Sequence, residues 1–208
     1  DLLVVLANFA VQLYYQSHNI PFSDNNVLLD FLSQRHASNF DILIKDLIGN
    51  CTLDPALINK LLPALSKGIH FVKGEDSLGF VYISLRDISQ RKSSGTYYTP
   101  EKVVGELIDR LYENDADLKV KTICDPCCGT GNFLLRLGVK GMDYANLYGQ
   151  DIDPVSVFLA RINIALVAPE MPTLNIRSRI IVGNTYFETF RKKFDVIVGN
   201  PPWGSDFS

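Results

Sequence analysis

The sequence predicts an α/β protein in which an all-helical region precedes a parallel β-sheet. After about residue 90, short apolar runs alternate with longer helical stretches, the pattern of parallel β-α-β units. Before that point the apolar residues recur at helical spacing. The 208 residues are 47% hydrophobic and 21% charged, enough apolar material for a packed core and too little charge for a disordered chain.

The same counts exclude several classes. Four Cys are too few for a disulfide scaffold, and Cys124, Cys127 and Cys128 cluster, so a reducing, cytoplasmic setting is expected. A net charge of −3, from 20 basic and 23 acidic residues, argues against strong nucleic-acid binding by this stretch alone. Residues 2–15 form the longest apolar run, interrupted by Asn8 and Gln12. It is too short to span a bilayer and lacks a signal peptide's basic flank, so it reads as a buried or partner-facing helix. The chain begins at Asp1 and ends shortly after its most informative motif, as a part of something longer does.

Taken in order, Ser23 or Asp24 is expected to cap a helix built on Val27, Leu28, Phe31 and Leu32. Asn39 precedes a second helix carrying Ile42, Leu43, Leu47 and Ile48, which Gly49 ends. Asp54 is an N-cap with Pro55 at the first helical position, and Gly68 is expected to close that helix. The boundary falls near residue 90, giving a helical region over 1–90 and an α/β region over 91–208. Ser93-Ser94-Gly95 reads as a loop, and Thr99-Pro100-Glu101 as an N-cap with proline at the first helical position. Strands are then expected over 120–125, 147–151, 179–182 and 194–199, the last almost wholly apolar and read as buried.

Three loops carry the chemistry. The first, Asp125-Pro126-Cys127-Cys128-Gly129-Thr130-Gly131-Asn132-Phe133, leaves a strand and opens a helix. Gly129 and Gly131 let the backbone approach a ligand at a helix N-terminus, whose N–H groups favour a carboxylate or phosphate. Asp125 adds a partner for a ligand ammonium. Leu134 stands where a dinucleotide fingerprint has its third glycine, and no Gly-Lys-Ser/Thr follows for a P-loop. A tight strand-to-helix turn is the plain structural alternative.

The second loop is Gly149-Gln150-Asp151-Ile152-Asp153-Pro154. Asp151 lies 20 positions beyond Gly131, where an acidic strand end binds ribose hydroxyls, and Ile152 offers an apolar face to an adenine. Asp153-Pro154 also reads as a helix cap. The third is Asn200-Pro201-Pro202-Trp203, a rigid loop with an amide and a large flat ring, suited to a planar, amine-bearing substrate. A Pro-Pro turn over a buried Trp is the alternative there. No metal site is expected: Cys124, Cys127 and Cys128 lack a second pair at zinc spacing, and His18, His36 and His70 have no ligand spacing.

Together the three loops resemble the adenine-N6 DNA methyltransferases of restriction–modification systems. The first looks like their S-adenosylmethionine motif, and Asn200-Pro201-Pro202-Trp203 like their catalytic Asn/Asp-Pro-Pro-aromatic motif. Gly95-Thr96-Tyr97-Tyr98-Thr99-Pro100 is similar to the segment that contacts the cofactor's methionine end. Gly183-Asn184-Thr185 sits where the family binds the cofactor's adenine. The resemblance covers roughly residues 75–208, and the helices ahead of it are similar to the N-terminal domain of type I modification subunits and fused type IIG enzymes. The cofactor motif precedes the catalytic one by 75 positions, from Asp125 to Asn200, the family's gamma order. One departure is Cys127, where the family usually has a small residue.

The resemblance implies a Rossmann-like core with strand order 3-2-1-4. It implies S-adenosylmethionine as cofactor, touching Tyr98, Thr99, Asp125, Cys127, Gly129, Gly131, Asp151, Ile152 and Asn184. Asn200, Pro201, Pro202 and Trp203 are then catalytic. Their substrate is an adenine flipped out of double-stranded DNA, and the partners are specificity and nuclease subunits or a fused nuclease, with no membrane. The Asn200 oxygen and the Pro201 carbonyl accept the two N6 hydrogens, turn the nitrogen lone pair toward the methyl group, and need no strong base. Trp203 stacks on the flipped base. Protein glutamine-N5 methylation and a non-catalytic cofactor-binding scaffold are the alternatives. At this length the strand over 194–199 becomes an exposed sheet edge, so self-association and no DNA methylation are expected of this piece alone.

Overall fold

The computed structural model describes residues 1–34, 39–85, 99–187 and 190–201. The first helix, α1 (Leu2–Ser17), is buried without a break from Val4 to Tyr15, as expected of a helix that is apolar all round. Four helices wrap it: α2 (Leu28–Ser33), α3 (Phe40–Ile48), α4 (Pro55–Leu65) and α5 (Ser77–Leu85). Tyr14 stacks on Phe40 with ring centres 4.4 Å apart, and Phe31 meets both rings edge-on. No helix among the described residues is long and apolar enough to cross a membrane.

The two polar interruptions of α1 turn out to be its anchors. Asn8 Oδ1 accepts from the backbone N–H groups of Val27 and Leu28 at 3.0 and 3.1 Å, and its Nδ2 donates to the carbonyls of Asn25 and Leu65 at 2.8 and 3.0 Å. Gln12 donates to the carbonyls of Asn25 and Lys67 and accepts from Ile69 N–H. The cap of α2 therefore comes from Asn8, not from Ser23 or Asp24. Asp24 instead accepts from Asn26 N–H in a turn ahead of the helix. Asp54 caps α4 as expected, accepting from Leu57 N–H at 2.8 Å with Pro55 at the first position. That helix ends at Leu65, three residues before Gly68, because Asn8 and Asn25 take the carbonyls of Leu65 and Ser66. Gly49 ends α3 with φ +56°.

The expected boundary near residue 90 lies outside the described residues. Beyond it come α6 (Glu101–Asn114), β1 (Ile123–Asp125), α7 (Asn132–Val139), β2 (Leu147–Asp151), α8 (Pro154–Val167), α9 (Thr173–Arg179), β3 (Ile180–Val182) and β4 (Val196–Ile197). The sheet is wholly parallel with order β3-β2-β1-β4, as expected. Asp125 pairs with Gly149, and Asp151 with Val182, so the loops after β1, β2 and β3 leave the same end of the sheet.

Several boundaries differ from expectation. Pro100 is the N-cap of α6, not its first residue, and Thr99 makes no capping bond. Residues 118–120 form a 3-10 turn with Val120 turned outward, so β1 begins three residues late. Arg179 closes α9 and does not open β3. The last strand is two residues long and not buried: Ile197 is 62% exposed, because β4 is the sheet edge and no described element covers that face.

Two apolar cores result, and α8 belongs to both. Leu159, Ile162 and Leu166 pack with the helices α1 to α5. Val157, Ala160 and Ile164 pack with α6, α7 and the sheet.

Candidate functional site

The site is built where β1 and β2 end side by side. Asp125 closes β1 and is 1% exposed; Oδ1 accepts from Cys127 N–H at 3.1 Å, and Oδ2 has no hydrogen-bond partner among the described residues. Burial first, and then the charge of Asp151, pushes its carboxyl up to about 7. Gly199, after β4, passes so close that a Cβ there would strike this carboxylate. Only glycine lets the two loops meet.

Beyond Asp125 the chain turns sharply, with Cys128 N–H donating to the Gln150 carbonyl at 2.9 Å. Gly129 and Gly131 have φ of +51° and +94°, values other residues rarely adopt. Their surroundings differ. A Cβ on Gly129 meets nothing within 4 Å, whereas one on Gly131 lies 3.3 Å from Ala160 Cβ of α8. Gly129 faces open space, and Gly131 also serves helix packing.

Asp151 holds the first two loops together. Its Oδ2 accepts from Gly129 N–H at 2.8 Å and its Oδ1 from Asp153 N–H at 2.9 Å, while burial raises its pKa. Ile152 projects beside it, 67% exposed. Asp153 caps α8 through Val155 N–H, with Pro154 at the first position, so the capping reading of this loop holds too. The loop after β3 is tied on by Gly183 N–H to the Asp151 carbonyl at 2.9 Å and by the Thr185 hydroxyl to the Pro126 carbonyl at 2.5 Å. Between them Asn184 accepts from Tyr186 N–H with its Oδ1.

The remaining two motifs meet at Thr99. Asn200 Nδ2 donates to Thr99 Oγ1 at 3.2 Å, and Asn132 Nδ2, at the start of α7, donates to the Thr99 carbonyl at 3.0 Å. Thr99, Cys127, Gly129, Asn132, Ser156 and Asn200 line one small cleft. Burial pushes the Cys127 thiol up to about 11, so it is a neutral wall and not a nucleophile. Pro201 is exposed beside Asn200; Tyr98, Pro202 and Trp203 lie outside the described residues. The family model for N-6 DNA Methylase matches residues 73–208, about two thirds of the chain. The chain belongs to the N-6 DNA methylase family.

Individual relatives agree. The type II methyltransferase M.VspI of a Vibrio species is 34% identical over 129 residues, 62% of this chain and 30% of the relative. The type I restriction enzyme MjaIX methylase subunit of Methanocaldococcus jannaschii is 27% identical over 190 residues, 84% of this chain and 32% of its own length. The chain thus spans about a third of the length of these two curated relatives. A crystal structure of a modification subunit of a putative type I restriction enzyme from Vibrio vulnificus shares the fold, with TM-score 0.51 and 22% identity over 79% of this chain and 36% of that one.

Sequence reasoning missed one part of this site. Asp76, just before α5, is fully buried and accepts from the Thr130 hydroxyl, from Asn163 Nδ2 at 2.7 Å and from Gly79 N–H at 2.8 Å. Asn163 Nδ2 also donates to the Thr130 carbonyl at 2.9 Å. The only local signal was an acidic residue ahead of a helix, which reads as an N-cap. The bond to Gly79, three positions on, is that cap. Its other partners are remote in sequence.

Proposed function

We propose that this chain carries the S-adenosylmethionine site and the methyl-transfer motif of an adenine-N6 DNA methyltransferase in a restriction–modification system. One observation carries the reading: Thr99, the glycine loop and Asn200, distant in sequence, line one cleft at the C-terminal ends of parallel strands, where open α/β sheets bind ligands. The donor set fits the cofactor. The partnerless Asp125 oxygen suits an ammonium, the N–H groups of the first turn of α7 suit a carboxylate, and Asp151 suits a ribose. Ile152 and Asn184 flank the place of an adenine.

S-adenosylmethionine, when bound, supplies a methyl group on an electrophilic sulfonium. The chain's own residues prepare the acceptor. Thr99 fixes the orientation of the Asn200 amide. In our reading the Asn200 oxygen and the Pro201 carbonyl accept the two hydrogens of adenine N6, freeing its lone pair for in-line attack. Trp203 stacks on the base once it leaves the duplex. Double-stranded DNA is the partner proposed for the protein at its natural full length, with specificity and nuclease functions on other subunits or segments, in the cytoplasm.

Asp151→Ala tests the cofactor half by calorimetry. Loss of a charged acceptor for ribose should weaken S-adenosylmethionine roughly ten- to hundredfold; unchanged affinity removes Asp151 from that role. Labelled-methyl transfer tests the other half. Label on a protein glutamine and none on adenine in DNA would transfer the case to glutamine methylation.

A pH dependence follows from Asp125. Its folded value near 7 stands above the ordinary 3.8, so at pH 5 the carboxyl is protonated in the folded protein. A cationic ligand group needs it ionised. Affinity should therefore rise by up to about tenfold per unit between pH 5 and 7, then level off. Asp151 and the thiols of Cys124, Cys127 and Cys128 surround this carboxyl, and only Asp151 is acidic enough to share the titration. Asp125→Asn should flatten the profile, and an unchanged slope in that variant would assign it to Asp151. The free protein follows the opposite sign. Stability from protonated Asp125 is complete below about pH 4 and is lost as the pH rises through 7.

A further inference from the structure

We infer that helix α5, from the region ahead of the sheet, sets the register of the two cofactor loops, with Asp76 and Tyr82 as its positioning residues. The inference rests on the cofactor reading above. Asp76, Gly79 and Tyr82 recur at three-residue intervals and so share one face of the first turns of α5. At one end of that face the Asp76 carboxylate holds the Thr130 hydroxyl, while Asn163, itself bonded to Asp76, holds the Thr130 carbonyl. Thr130 is thereby fixed on both sides, between Gly129 and Gly131. At the other end the Tyr82 hydroxyl donates to Asp153 Oδ2 at 2.7 Å.

The two ends close a circuit. Asp153 N–H donates to Asp151 Oδ1, Asp151 Oδ2 accepts from Gly129 N–H, and Gly129 adjoins Thr130. Each loop is therefore braced against the other and against α5. Gly79 is the point of closest approach: a Cβ there would strike both the Asp76 carboxylate and the Thr130 hydroxyl. Three donors converge on Asp76, and burying a carboxylate to receive them is costly, as its pKa near 7 records. An apolar contact of the same shape stabilises at least as well but specifies geometry less. A glycine pair with positive φ needs such an external brace to keep Gly129 N–H aimed at Asp151.

The test uses the protein at its natural full length, with calorimetry of S-adenosylmethionine and steady-state methylation of DNA. Asp76→Ala removes the acceptor of Thr130, Asn163 and Gly79, leaving Asn163 only its bond to the Thr130 carbonyl, and should raise both Kd and KM for S-adenosylmethionine by roughly tenfold or more, with kcat within about threefold. Asp76→Asn retains an acceptor for Gly79 and Asn163 and sets an amide against the Thr130 hydroxyl. It should bind within about threefold of the parent. Tyr82→Phe leaves the ring in place and should cost about threefold or more. An Asp76→Ala protein that is folded by circular dichroism and binds with parental affinity overturns the inference. So does a folded Asp76→Asn protein as impaired as Asp76→Ala, since charge and not bracing would then be the requirement. If Asp76→Ala does not fold, Tyr82→Phe decides, and parental affinity there overturns the inference. A parent protein that fails to bind S-adenosylmethionine sinks the cofactor reading itself, a distinct result.

Discussion

Asn200→Ala should lower methyl transfer to adenine by on the order of 10²–10³-fold at saturating cofactor, the cost of removing one preorganised polar group from a transition state. The cofactor's Kd should change little. Asn200 Nδ2 donates to Thr99 Oγ1, on the segment ahead of α6, while the loops after β1 and β2 are tied to one another through Gly129, Asp151 and Asp153. An amide oxygen that acts on the nucleophile contributes in the transition state and not in ground-state binding, so the loss belongs in kcat. Single-turnover transfer of labelled methyl to a duplex, beside calorimetry of the cofactor, separates the two. A variant with parental kcat would remove Asn200 from catalysis. One that loses cofactor affinity in proportion would make it a binding residue.

Asn8→Ala should destabilise the protein by about 3–5 kcal/mol, a large share of the roughly 5–15 kcal/mol typical of a folded domain. The side chain is completely buried and makes four hydrogen bonds, two of them to the first N–H groups of α2. Those donors have no intrahelical acceptor, and α2 has no side-chain cap of its own. Truncation leaves Val27 N–H, Leu28 N–H and the Leu65 carbonyl without partners in an apolar surround; the Asn25 carbonyl keeps Gln12. Asn8→Leu fills the volume but restores no hydrogen bond, so it should recover little. Urea denaturation of both variants is the measurement, and a loss under about 1 kcal/mol would show that water reaches these groups.

The parallel sheet and the three loops were legible because parallel strands read as short apolar runs, and because positive-φ glycines leave their mark in the chain; the strand order came from the family resemblance. Asp125, Gly129 and Asp151 converge as that reading required. What stayed hidden depends on partners remote in sequence. Asn8 and Gln12 read as breaks in an apolar run, since nothing nearby shows that their amides reach 13 to 57 residues away. Asp76 reads as an ordinary cap, although its decisive partners stand 54 and 87 positions on. The strand over 194–199 looked buried because apolar content reports what a strand can pack against, not what is beside it. The bond from Asn200 to Thr99 spans 101 positions and left no local trace.

Helix α8 gives one side to each core, with Leu159 and Ile162 turned to the helices and Val157 and Ile164 to the sheet. A party wall of this kind makes the molecule mechanically one piece. Opening either room strips half of the wall, so the amides of α1 and those of α7 should exchange with solvent at the same free energy, in one cooperative event. Limited proteolysis should accordingly release no stable sheet fragment lacking the first five helices. Grafting those helices from a relative would succeed only if Leu159, Ile162 and Leu166 travelled with them.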